Sequence, residues 1–128
     1  MFGLFNRKSG FKAALQAYNA LTMCVAAYGL MTNPQAKFSE VGADVLIHAI
    51  SLYSLRENAG ALLQIFSSGA NMFRMGSIYA ALTLEGSSVP TSLNATDMVN
   101  HLLNTVAGLI PNEEEKQELC AKCDYSLV

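Results

Sequence analysis

At 128 residues the chain is long enough for one domain with a sizeable core, yet only 14% of it is charged, well under the share found in ordinary globular domains. A net charge of −2 without a long basic run excludes nucleic acid as a partner. Three cysteines, Cys24, Cys120 and Cys123, make an odd count that fits free thiols in a reducing cytoplasm best.

The first twelve residues carry Arg7, Lys8 and Lys12 beside Phe2, Leu4 and Phe5. Met1 to Lys12 therefore offers a membrane contact, and residues 1–8 form either an arm of that kind or a cover for one end of the fold. An uncharged stretch follows from Ala13 to Ala36, in the order a secretion signal or an anchor would have. Gln16, Asn19 and Thr22 interrupt it, no small-residue cleavage site precedes Asn33-Pro34, and Met23 stands where a lipoprotein box needs a small residue. These polar interruptions make lipid a poor surrounding for the segment.

Ser9 is the expected N-cap of a first helix running to Thr32 and stopped by Asn33-Pro34. Ala13, Ala17, Ala20, Cys24, Ala27 and Met31 share one of its faces, which predicts close approach of another helix or of a second copy. Phe11, Leu15, Tyr18, Leu21, Val25 and Tyr28 are its expected core residues. A second helix starts near Ser39, with Val41, Val45, His48, Leu52 and Leu55 on one face, and breaks at Arg56-Glu57-Asn58 and Gly60. Ala61 to Phe66 then resumes as helix as far as Ser67-Ser68-Gly69. Asn71 to Leu84 forms the next helix, with Met72, Met75, Ile78, Tyr79 and Leu82 as its apolar set.

Residues 86–93 are rich in Gly, Ser and Pro and predict a mobile loop. Ser92 or Asn94 caps a helix to Leu109, with Met98, Leu102, Val106 and Leu109 in register. Asn112 followed by Glu113, Glu114 and Glu115 predicts a last helix to about Cys123. No strand-like alternation competes. The expected fold is all-α, a single-domain bundle of five or six helices with the charge-poor first helix at its centre.

Two aspartates each precede a histidine by four residues, as Asp44-x-x-x-His48 and Asp97-x-x-x-His101. Each of these aspartates also lies five residues after a serine, and the two units are offset by 53 residues, the pattern of a worn internal duplication. Aspartate and histidine one turn apart can ligate one metal ion, and two such helices would give four N and O donors suited to zinc, iron or manganese. The plainer reading places each Asp in a first turn, hydrogen-bonded to its own His. Cys120-x-x-Cys123 sits near the end of a helix beside Glu118 and Asp124, where acid neighbours disfavour thiolate. No hydrolase or phosphate-binding motif is present. Asn94-Ala95-Thr96 fits a glycosylation sequon, and Tyr125 to Val128 the form of a PDZ-type carboxylate ligand.

Between residues 13 and 112 stand only eight charged side chains, too few to clothe a bundle of that size. The leading expectation is a cytoplasmic, non-enzymatic interaction module, an adaptor, chaperone-like protein or regulatory subunit, which binds another protein or its own copies. Its uncharged surface would include the Ala13, Ala17, Ala20, Cys24 and Ala27 face and the adaptable pair Met72 and Met75. No cofactor is expected on this reading. The alternatives are a helical protein binding a divalent transition metal through Asp44, His48, Asp97 and His101, and a peripheral membrane protein held by its N-terminus.

Overall fold

The computed structural model describes residues 5–85 and 91–110, leaving out the side chains of 84–94. The described residues are all-helical: α1 (Gly10–Thr32), α2 (Phe38–Ser54), α3 (Ala61–Ala80) with a five-residue π-helical turn after it (Ala81–Glu85), and α4 (Thr91–Gly108). Each helix packs on the next, and α4 returns against α1, which closes a ring of four. The expected last helix from Asn112, the Cys120 and Cys123 pair, the Tyr125 to Val128 ending, residues 1–4 and most of the 86–93 loop lie outside the described residues.

Local chemistry sets the helix ends. Ser9 caps α1 by accepting from the Lys12 N–H at 3.3 Å, and the chain leaves the helix at Asn33, before Pro34. Ahead of the cap, the Asn6 carboxamide oxygen accepts from the backbone of Lys8 at 3.0 Å and Ser9 at 2.8 Å, which turns the chain into the helix. Phe38 begins α2 with Lys37 at the cap position and no side-chain cap, so Ser39 is inside the helix rather than before it. The break at Arg56 to Gly60 falls where the sequence places it.

Two expectations need correction. Ser67-Ser68-Gly69 does not interrupt α3, because the serine hydroxyls find partners inside the bundle: Ser68 Oγ donates to the Thr105 carbonyl at 2.8 Å, and Ser67 lies against Ser51 and Asn71. Two predicted pieces are therefore one helix. The second correction concerns what is inside. Among the described residues the buried apolar side chains are only Leu15, Leu55, Ala59, Ile78 and Ala107, whereas sixteen polar or charged residues are buried. Phe11, Leu21, Val25 and Tyr28, expected in the core, are exposed, as are Leu102, Val106 and Leu109 of α4. Helix α1 is accordingly one outer member of the ring and is not enclosed by the others.

The apolar nucleus that does exist, Leu15, Leu55 and Ala107 with Tyr18 and Leu103 against them, lies toward one end. Hydrogen bonds tie that end together. Asn6 donates from its backbone to Gln16 Oε1 at 2.7 Å and from its side chain to the Leu55 carbonyl at 3.0 Å, while Lys12 Nζ donates to the Ile110 carbonyl at 2.9 Å. Close approach of α3 and α4 depends on Gly108, where a Cβ would overlap Ser68 Oγ and the Gln64 carbonyl. No helix among the described residues is long and apolar enough to cross a membrane.

Candidate metal centre

The inward faces of α2 and α4 carry the two Asp-x-x-x-His units, and the ring brings all four residues to one place. One donor atom from each of Asp44, His48, Asp97 and His101 lies within 4.8 Å of every other. His48 Nε2 is 2.9 Å from Asp97 Oδ1 and 3.4 Å from Asp44 Oδ2. His101 Nε2 is 3.0 Å from Asp44 Oδ1 and 3.5 Å from Asp97 Oδ1. Each imidazole nitrogen thus faces both carboxylates, one on its own helix and one across the bundle. The rings stack with centroids 4.5 Å apart and 20° between planes, and both histidines are fully buried.

The other side of each ring fixes its proton. Asn19 donates its amide to the Leu15 carbonyl at 2.9 Å, and Asn71 to the Ser67 carbonyl at 2.8 Å. A main-chain carbonyl only accepts, so both carboxamides are oriented with Oδ1 toward the histidines. Asn19 Oδ1 lies 2.8 Å from His48 Nδ1, and Asn71 Oδ1 lies 2.7 Å from His101 Nδ1. Each Nδ1 must therefore carry hydrogen and donate. In a neutral ring that leaves Nε2 with a lone pair turned toward two carboxylates. Contact at 2.9 to 3.0 Å between groups that all accept requires a proton, on a ring or on a carboxyl, or a metal ion between them.

Further residues hold the frame. Asn104 Nδ2 donates to Asn19 Oδ1 at 2.8 Å and reaches Asn71 Oδ1 at 3.1 Å, joining the two histidine supports. Asn71 also donates to Ser51 Oγ at 2.8 Å. Arg74 Nε donates to Asp44 Oδ1 at 2.9 Å, and Asn100 donates to Thr22 Oγ1 at 2.8 Å. No buried side-chain nitrogen or oxygen among the described residues lacks a partner.

All four residues of the sequence-derived metal set are therefore brought together. The sequence-derived interface residues are not gathered in this way: Ala17, Cys24, Ala27 and Met72 are exposed, and Ala13, Ala20 and Met75 are half-buried. Reading the sequence for histidine and aspartate alone misses Asn19, Asn71, Asn104 and Arg74. A signal for two of them was present, since Asn19 and Asn71 are 52 residues apart, nearly the offset of the Asp and His pairs. No family model, curated relative or solved structure matches this chain.

Proposed function

We propose that the protein binds one divalent transition-metal ion through Asp44, His48, Asp97 and His101. The observation that carries this reading is the pair of Nδ1 contacts to Asn19 and Asn71, which aim both Nε2 lone pairs at the carboxylates. Histidine ligands are commonly held by a hydrogen bond from the second ring nitrogen to a carbonyl or carboxylate oxygen, which fixes tautomer and orientation. The alternative cation, a proton on each ring, would stack two imidazolium rings at 4.5 Å, a repulsion that the carboxylates 2.9 to 3.5 Å from each Nε2 offset. One divalent ion balances the two carboxylates without that repulsion.

The donor set, two imidazoles and two carboxylates, suits zinc, ferrous iron or manganese, and no thiolate is among the four to select softer metals. Bonds of about 2.1 Å at tetrahedral angles would set the donor atoms about 3.4 Å apart, and the four His-to-Asp contacts of 2.9 to 3.5 Å lie within about half an ångström of that. Asp44 and His48 come from the first helical pair and Asp97 and His101 from the second, so the ion would also staple the two pairs together.

The test is metal content of the untagged protein after dialysis against zinc, manganese or ferrous ions in turn. The expected ratio for at least one of them is near one per chain. His48→Ala and Asp97→Asn should each lower affinity about tenfold or more. A ratio that stays near zero for all three ions overturns the reading and leaves a protonated His and Asp network in its place.

A further inference from the structure

A bundle in water turns its apolar faces inward, because burial of that surface is the main stabilising term. This bundle does the reverse on every side. Leu21 and Tyr28 on α1, Leu46 on α2, Leu62 and Phe73 on α3 and Leu102 on α4 all point outward, with exposures from 48% to 83%. The helices form a closed ring, so their outward faces make a belt around the whole circumference. A single protein partner, or a second copy at one interface, would cover one or two helices and leave the rest of the belt in water.

The charges follow the same division. Within the four helices Lys12, Asp44, Arg74 and Asp97 are turned inward, and only Glu40, in the first turn of α2, points out. The other charged residues whose side chains are described sit at the ends: Arg7, Lys8, Arg56 and Glu57 at one, Lys37 at the other. The interior is held as helix packing in hydrocarbon is held, by Asn, Ser, Gln and His hydrogen bonds across helices and by close backbone approach at Gly108.

We propose that the acyl region of a phospholipid bilayer covers this belt, with the bundle embedded as a unit. No single helix among the described residues is apolar enough to cross, but the polar residues that interrupt each one away from its ends are turned inward: Gln16 and Asn19 of α1, His48 of α2, Asn71 of α3 and Asn104 of α4 are all buried. At 23, 17, 20 and 18 residues the helices fall within the range of about 17 to 25 that a hydrocarbon core requires. Polar segments are tolerated at that depth where protein encloses them.

The experiment is cell-free synthesis of the full chain with vesicles of phosphatidylethanolamine and phosphatidylglycerol, in chelator, followed by a carbonate wash and flotation on a density gradient. Most of the chain is expected to float with the vesicles. Phe73→Glu, which sets a charge in the belt without touching the interior, should lower the floated fraction about tenfold or more. Phe38→Glu, at the end of the bundle, should float as the parent chain does. Release by carbonate would indicate surface attachment, and a dispersed particle of defined mass without lipid would indicate cover by protein. Either result, or Phe73→Glu floating undiminished, overturns the proposal. Because chelator is present throughout, failure here leaves the metal reading untouched.

Discussion

The pair α1 and α2 and the pair α3 and α4 are built alike around the Asp and His cluster and unlike away from it. At the cluster the correspondence is close: Asn19 serves His48 as Asn71 serves His101, and Asp44 and Asp97 each face both rings. Elsewhere the pairs diverge. Position 55 holds a buried leucine, whereas its counterpart 53 residues on, Gly108, has no room for a side chain. Position 51 holds a serine, whereas its counterpart Asn104 bridges both histidine supports. Arg74 pairs with Asp44, and its counterpart in the first pair, Thr22, accepts from Asn100 instead. Where a duplicated pattern keeps its chemistry in one place and loses it in others, the retained place is where the two halves need each other.

The largest effect should come from the end where the halves differ most. Leu55→Ala removes the centre of the small apolar nucleus and is expected to cost about 3 kcal/mol, and Gly108→Ala, which forces α3 and α4 apart, about 2 kcal/mol. Thermal unfolding followed by circular dichroism measures both, and no loss at Gly108 would mean that α3 and α4 are farther apart than their backbones indicate.

The two carboxylates should then separate by partner. Asp44→Asn leaves the half-buried Arg74 guanidinium without its carboxylate and is expected to cost about 2 kcal/mol of stability, whereas Asp97→Asn costs about 1 kcal/mol. Both should weaken metal binding in titrations, which places the symmetric effect on the ion and the asymmetric one on the fold. Equal stability losses would show that Arg74 contributes nothing to the distinction.

A contrast of the same size is expected at the bridging position. Asn104→Leu leaves the Asn19 and Asn71 carboxamides short of a partner and should cost about 2 kcal/mol, against about 1 kcal/mol for Ser51→Ala. Smallest of all, Ala17→Leu on the exposed small-residue face of α1 should change stability by less than about 0.5 kcal/mol, as surface substitutions usually do. A larger loss there would mean that another copy of the chain packs on that face.

The sequence by itself determined the helical class, the ends of α1 through Ser9 and Asn33-Pro34, the break after α2, and the paired Asp-x-x-x-His units with their near-constant offset. These are local properties, set by capping, by proline and by spacing along one helix. The continuity of α3 through Ser67-Ser68-Gly69 was not local, because it depends on acceptors that α2 and α4 supply. Nor was the direction in which each helix faces. Periodicity puts Val41, Val45, His48, Leu52 and Leu55 on one face of α2 and leaves a second face, with Asp44, Ser51 and Ser54, that shares His48 and Leu55 with the first. Only the tertiary structure turned the second face inward, because its hydrogen-bonding groups find partners on the neighbouring helices, and so brought four residues from two distant segments to one point.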